Sequence, residues 1–291
     1  MKMAIHGRKV NPDSLPYISR LLEALTSKQI EIFTSDIFHD LLHTSGLDLS
    51  NCHRYSSQAG VPDVDYVISI GGDGTLLETV THVGKKETPV VGVNTGRLGF
   101  LATVSQDDIN QAIELLMKGE YYYDFRTLVE VNPSVPLEDE LNFALNEFTV
   151  IKKDTSSMIV VHTYVDDQFL NSYWSDGLIV STPTGSTGYS LSCGGPVVTP
   201  HSSNLIITPV SPHNLTVRPL VVSDDSVITL RVESRSENFL LSLDSRSYTI
   251  STSAEILVKK CPFKVKLVKF NNGDFLNTLR QKLHWGLDVR N

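Results

Sequence analysis

The chain has 291 residues, 41% of them hydrophobic, and a formal net charge of −8. That length can bury a sizeable core as one large domain or two ordinary ones. The acidic balance argues against nucleic acid or a membrane surface as partner, because both require basic fields, and no apolar run is long enough for a membrane-spanning helix. An anionic ligand must therefore be held by local donors and metal ions. The three cysteines, Cys52, Cys193 and Cys261, are far apart and odd in number. They read as reduced core thiols of a cytoplasmic protein rather than as a disulfide framework.

In chain order, residues 3–8 predict a short strand ending in a glycine turn. Residues 15–26 predict a helix, with Ile18, Leu21, Leu22 and Leu25 on one face. A second strand is expected over 31–34 and an amphipathic helix over 36–43. That helix carries His39 and His43, which have no obvious third ligand nearby and are not expected to hold a metal. Residues 65–70 are β-branched and aromatic, as suits a buried strand. Leu76, Val80 and Val83 then repeat near helical spacing, with Thr75 as the expected cap. A further strand over 88–94 and a helix over 106–118 complete an alternation that argues for a parallel sheet covered on both faces.

Beyond about Asp124 the texture changes to period two, over 159–165, 227–232 and 263–267, with Asp166-Asp167 as a hairpin turn. Long helical patterns return only at 274–284. The expected fold class is therefore a doubly wound α/β domain over 1–124, followed by an all-β domain over 125–270. A C-terminal helix within 271–291 is expected to return to the first domain.

Between the strand expected over 65–70 and the helix after it stands Gly71-Gly72-Asp73-Gly74-Thr75. The glycines permit a sharp turn and close approach of a ligand. The helix start offers free N–H groups and partial positive charge, which suit a phosphate. Asp73 would repel that phosphate unless it had another task, such as accepting a hydroxyl proton or holding a cation. In open α/β sheets ligands bind at the carboxyl ends of strands. Asn94, in Asn94-Thr95-Gly96-Arg97-Leu98-Gly99-Phe100-Leu101, falls there after the next strand and should lie beside Asp73.

Asn146-Glu147 follows a strand-like run and can read a nucleoside, the amide on a base edge and the carboxylate on ribose hydroxyls. The stretch from Ser175-Asp176-Gly177 through Thr182-Pro183-Thr184-Gly185-Ser186-Thr187-Gly188-Tyr189-Ser190-Leu191-Ser192 is rich in small donors. It has neither the lysine of a P-loop nor the spacing of a nucleophile elbow.

These four segments, in this order, resemble the NAD kinase family of the bacterial, ATP- or polyphosphate-dependent type. Gly194-Gly195-Pro196, Pro212-His213-Asn214-Leu215, Arg218-Pro219-Leu220, Asn277-Thr278-Leu279 and Trp285-Gly286 extend the likeness, which runs from about Ile5 to Gly286. The glycine–aspartate turn alone is shared with diacylglycerol-type lipid kinases and phosphofructokinases. The Asn-Glu pair and the Thr-Gly-Ser-Thr loop single out NAD kinases.

The resemblance implies phosphoryl transfer from ATP to the 2′-hydroxyl of the adenosine ribose of NAD, with Asp73 as general base. It implies that Gly72 and Gly74 shape the phosphate turn, and that Asn146 and Glu147 grip the adenosine half with the β-rich domain. Asp176 would bind the nicotinamide end, Thr187 and Tyr189 would line the adenine site, and Phe100 would pack on a base. Asn94, Ser186, Gly188, Ser190, Leu191 and Ser192 complete the expected binding set. Arg97 and Arg246 are candidate phosphate partners. Mg²⁺ or another divalent cation is expected on the ATP phosphates with no protein side chain as ligand, and a homodimer or homotetramer is expected.

Trp174 stands where many bacterial members carry arginine, Arg246 where the family often has glutamine, and Glu78 and Ser157 match no binding residue. The remaining alternatives are a lipid kinase, a non-catalytic NAD(P) sensor and a sugar kinase.

Overall fold

The computed structural model describes residues 1–96, 99–153, 157–270 and 275–285. Its contacts divide the chain into two units, Met1–Phe125 with Val265–Asn291, and Arg126–Lys264.

The first unit opens with β1 (Lys2–Gly7), α1 (Leu15–Ser27), β2 (Glu31–Ser35), α2 (Asp36–Thr44) and β3 (Cys52–Tyr55). It continues with β4 (Tyr66–Gly71), α3 (Asp73–Val83), β5 (Val90–Asn94), β6 (Val104–Ser105) and α4 (Ile109–Lys118). The strands lie parallel in the order β5-β4-β1-β2-β3, with β6 pairing β5. The central strands β1, β4 and β5 are short and almost wholly buried, as expected of a sheet covered by crossover helices, whereas the edge strand β3 exposes His53 and Arg54. Ile18, Leu21, Leu22 and Leu25 of α1 are buried in one cluster with Ile5, Ile68 and Val91 of the strands. The four positions share a helix face because they recur at three- and four-residue spacing.

The second unit is built from β7 (Tyr122–Pro133), which enters it from the first, β8 (Phe143–Ala144), β9 (Glu147–Lys152), β10 (Ile159–Val165) and β11 (Gln168–Ser175). After β12 (Gly177–Ser181) come a 3-10 turn (Thr184–Thr187), α5 (Tyr189–Ser192), β13 (Asn204–Val210), β14 (Leu220–Ser223) and β15 (Ile228–Glu233). β16 (Asn238–Leu243), β17 (Arg246–Ser251) and β18 (Glu255–Lys269) follow. One antiparallel sheet runs β14-β13-β12-β9-β16-β17, and β11-β10-β15-β18 form a second antiparallel ladder. Phe148, Val150, Leu178, Val180 and Phe239 of the first share a core with Val161, Leu230 and Ile256 of the second. The alternation read in 159–165 is the burial pattern of β10. Asp166 and Asp167 turn the β10–β11 hairpin with φ of 50° and 63°, a left-handed pair that aspartate tolerates.

The end of β18 pairs in parallel with β5 at Leu267 and Val90. α6 (Phe275–Leu283) belongs to the first unit and buries Leu279.

The return to the first unit begins at Val265, ahead of the expected 271, and two helix starts shift. α3 begins at Asp73, capped by the Gly72 backbone, so Thr75 lies within its first turn and is not the cap. The Thr75 N–H instead donates to the Gly72 carbonyl at 3.0 Å. α4 begins at Ile109, three residues later than its periodicity suggested, because the Ser105 hydroxyl donates to the Asp108 carboxylate and holds the preceding residues as a turn. Asp274 and Gly286 lie outside the described residues.

Candidate functional site

In the first unit, β4 and β5 end side by side, as the alternation of strands and helices leads one to expect, and their parallel pairing sets Gly71 opposite Asn94. Gly72 and Gly74 are exposed at the start of α3, with open space where a side chain would stand. The Asp73 carboxylate faces back into its own unit. Its Oδ2 accepts the Phe100 N–H at 2.8 Å, and its Oδ1 accepts the N–H groups of Leu101 and Ala102, each at 3.1 Å. A Cβ at position 99 would lie 2.0 Å from Asp73 Oδ1, so a side chain there would displace the carboxylate.

Asn94 is buried and folds onto its own loop, its Oδ1 accepting the Gly96 N–H at 2.7 Å. Lys269 braces the segment after Phe100 by donating to the Leu101 carbonyl and the Thr103 hydroxyl, both at 3.1 Å. The Phe100 ring is half-buried, 6.3 Å from that of Phe275. Arg97, expected as a phosphate partner, lies outside the described residues.

In the second unit, Asn146 and Glu147 sit at the start of β9, and the aspartate that fixes them is Asp244. Its Oδ2 accepts the Leu145 N–H at 2.9 Å, and its Oδ1 accepts those of Asn146 and Glu147 at 2.8 and 3.2 Å. Burial pushes the Asp244 carboxyl above its ordinary range, and the three amides and Arg246 pull the other way. Glu147 has no such relief. Burial first, and the Asp244 charge second, push its carboxyl up to about 8. Its Oε2 is buried without a hydrogen-bond partner. A buried acceptor in that condition suits a ligand hydroxyl.

The small-residue loop closes over this pair. A Cβ on Gly185 would lie 2.1 Å from the Asn146 carbonyl oxygen, so glycine is required there. Gly188 stands beside Glu147 Oε2 and Asn146 Nδ2, with its missing side chain leaving room next to both. Tyr189 is 40% exposed. Burial, then the charges of Cys193, Asp176 and Glu147, raise its phenol above the ordinary value. Thr187 is half-buried, Leu191 is half-buried and Ser192 is exposed.

Ser186 and Ser190 do not line an opening. The Ser186 hydroxyl donates to the Pro183 carbonyl at 2.7 Å and accepts the Val198 N–H at 3.0 Å, and Ser190 pairs with the Thr208 hydroxyl at 2.8 Å. Both side chains are fully buried and shape the loop from inside. Arg246 is likewise engaged, donating to the Leu141 carbonyl at 2.6 Å and to that of Phe143, so it braces the segment before Asn146 and does not stand free for a phosphate.

Asp176 pairs with Lys152 at 2.6 Å, a lysine that sequence reading missed. Asp244 likewise escaped sequence reading, which singled out only its neighbour Arg246. A leucine–aspartate–serine hairpin carries no sign that its carboxylate reaches residues 145–147. Trp174 is 57% exposed on β11.

No cluster of metal-binding side chains includes Asp73 among the described residues, and its carboxylate is occupied by three amides.

Family models match most of the chain: the ATP-NAD kinase N-terminal domain over residues 10–121 and the ATP-NAD kinase C-terminal domain over 145–270. A protein of Cytophaga hutchinsonii named NAD kinase is 49% identical, covering 100% of both chains. Those of Flavobacterium psychrophilum and Bacteroides fragilis are 44% and 41% identical over the same full coverage. Among solved structures, the Archaeoglobus fulgidus NAD kinase in complex with ATP is 27% identical with a TM-score of 0.75, covering 98% of this chain and 99% of that one. Yeast NADH kinase complexed with NADH, at 21% identity, shares the fold with a TM-score of 0.89, covering 100% of this chain and 89% of that one. With both domain models matched and full-length relatives well above 30% identity, the chain belongs to the NAD kinase family.

Proposed function

We infer that this protein is an NAD kinase, transferring a phosphoryl group from ATP to the 2′-hydroxyl of the adenosine ribose of NAD. The observation that carries this reading is full-length identity of 49% to a relative of that name. The lipid-kinase alternative finds no support among the relatives.

The turn at Asp73 and the start of β9 supply the expected chemistry. Phosphoryl transfer has a loose transition state, so the enzyme chiefly positions groups and neutralises charge. Asp73 accepts the hydroxyl proton as the new O–P bond forms and the bond from the γ-phosphorus to the β,γ-bridging oxygen breaks, releasing ADP. Oδ2 is the oxygen for this task, since it holds one amide where Oδ1 holds two. The exposed backbone at Gly72 and Gly74 receives the phosphates of ATP, which enter as a divalent-cation complex.

Glu147, with a buried and unpartnered oxygen, receives the neighbouring ribose hydroxyl, and Asn146 reads the base edge. Thr187 and Tyr189 line the adenine, Asp176 held by Lys152 faces the nicotinamide end, and Phe100 packs on a base. The enzyme works in the cytoplasm as a homodimer or homotetramer.

A coupled assay for NADP formation, run across ATP, other nucleotides and polyphosphate, tests the reading. Mass spectrometry then locates the phosphate on the adenosine ribose. ADP release without NADP, or NAD binding without turnover, would replace the kinase reading with another acceptor or with a sensor.

A further inference from the structure

A second polar cluster lies within the first unit, built from residues to which the kinase reading gives no work. His6 of β1 is fully buried. Its Nδ1 pairs with the Ser35 hydroxyl at 2.8 Å, and its Nε2 has no hydrogen-bond partner. The nearest carboxylate oxygen, Oε1 of Glu78 on α3, is 3.7 Å from Nε2, beyond hydrogen-bond length. His82, one turn further along α3, packs its ring edge-on to His6 with centroids 4.4 Å apart, and its Nδ1 pairs with the Tyr55 hydroxyl at 3.2 Å.

We propose that His6, Glu78 and His82 form a binding site for a divalent cation of the zinc class, tying β1 to α3. One ligand atom from each of the three lies within 4.8 Å of the others. Two imidazoles and one carboxylate make a donor set that zinc favours, leaving a fourth position for water. Tetrahedral ligands at zinc stand about 3.4 Å apart, so His6 Nε2 and Glu78 Oε1 are already near that spacing. Glu78 is the more exposed partner and the one with freedom to close the remaining gap.

The orphaned nitrogen is what distinguishes this cluster from an ordinary buried histidine pair. If His6 Nδ1–H donates to Ser35, Nε2 presents a lone pair toward the Glu78 oxygen, and a cation satisfies both. In the other tautomer Nε2–H would face the carboxylate without reaching it. A charged imidazolium would pair with Glu78, but burial, then His82 and Arg8, lower His6 to about 3. Burial also lowers His82 to about 4. Burial thus favours the uncharged ring, the form in which imidazole ligates metal.

Partners behind the three residues have the character of an outer shell. Ser35 and Tyr55 orient the two rings. Arg8 Nε donates to Glu78 Oε2 at 2.8 Å, which leaves Oε1 turned toward His6. Such outer contacts fix ligand orientation in metal proteins.

The test uses the full-length protein stripped with EDTA, titrated with Co²⁺ and then Zn²⁺ in the absence of ATP and NAD. The expected result is one Co²⁺ per chain with visible absorption of a low-coordinate site, displaced by Zn²⁺, and a rise in Tm with Zn²⁺. Glu78→Gln and His82→Gln, checked for native circular dichroism, should each bind at least about 100-fold more weakly. His43→Ala, on the exposed side of α2, should bind as the wild type does. Absence of uptake at tens of micromolar metal would overturn the proposal. Undiminished affinity in Glu78→Gln, or loss of binding in His43→Ala, would do the same. Because the readout is metal binding and not turnover, the outcome is independent of the kinase reading.

Discussion

Asp244 holds Glu147 from both sides of the chain. Its carboxylate accepts the Glu147 N–H at 3.2 Å, and its own N–H donates to the Glu147 carbonyl at 3.0 Å. The same carboxylate carries the Leu145 and Asn146 amides, so one residue of the β16–β17 hairpin fixes the backbone on which both nucleoside-reading side chains stand. Its negative charge also adds to burial in pushing Glu147 upward.

Replacing Asp244 with Asn keeps the size of the side chain but removes an acceptor oxygen. At least one of three buried amides is left unsatisfied, which typically costs about 1–3 kcal/mol. Asp244→Asn should lower the Tm and raise the Kd for NAD, as read by thermal unfolding and calorimetric titration. An unchanged Kd would show that Asn146 and Glu147 keep their positions without it.

Glu147 should leave a signature in the pH dependence of stability. In the unfolded chain it loses its proton near the ordinary 4.5, but in the fold only near about 8. Between those values the native state holds a proton that the unfolded state does not, so stability falls with rising pH. The contribution is fully present below 4.5 and gone above about 8. Thermal unfolding from pH 5 to 9 should show the wild type losing Tm relative to Glu147→Gln. Parallel curves for the two proteins would mean that Glu147 titrates normally.

Asp73→Asn should fold, bind NAD and lose about 10²–10⁴ in kcat, the usual share of a general base. The asparagine oxygen still accepts amide N–H groups from the 100–102 segment, so the loop has a partner while proton acceptance is lost. Steady-state kinetics and NAD titration on one preparation separate the two effects. Wild-type turnover would remove Asp73 from the chemistry.

Gly99→Ala tests whether the Asp73 carboxylate needs its bed of amides. The added methyl would meet Asp73 Oδ1 at 2.0 Å, and overpacking of this kind commonly costs about 1–3 kcal/mol. We expect at least a tenfold loss of NADP formation with an unaltered circular dichroism spectrum. Full activity would show that the segment yields without disturbing Asp73.

Much of the fold was legible from pattern. Ile18, Leu21, Leu22 and Leu25 announced α1, and the alternating residues of 159–165 announced β10, because local periodicity and burial coincide there. That the ends of β4 and β5 lie side by side was expected from the alternation of strands and helices; the register that sets Gly71 opposite Asn94 came only with the structure. The start of α4 was less legible, since the turn before it depends on one serine–aspartate hydrogen bond. Ser186 and Ser190 looked like ligand donors because sequence shows a hydroxyl but not its direction. Both point inward, onto the Val198 backbone and Thr208.

By itself the sequence determined the elements, the family motifs and the presence of an acid in a glycine turn, all properties of residues adjacent along the chain. Tertiary structure alone decided which distant groups meet. It set Asp244 beneath residues 145–147, Lys152 against Asp176, and His6 against Glu78 and His82. The protonation of Glu147 and the orphaned nitrogen of His6 follow from exclusion of water and from neighbours far away in sequence. Those are consequences of burial, which no local pattern encodes.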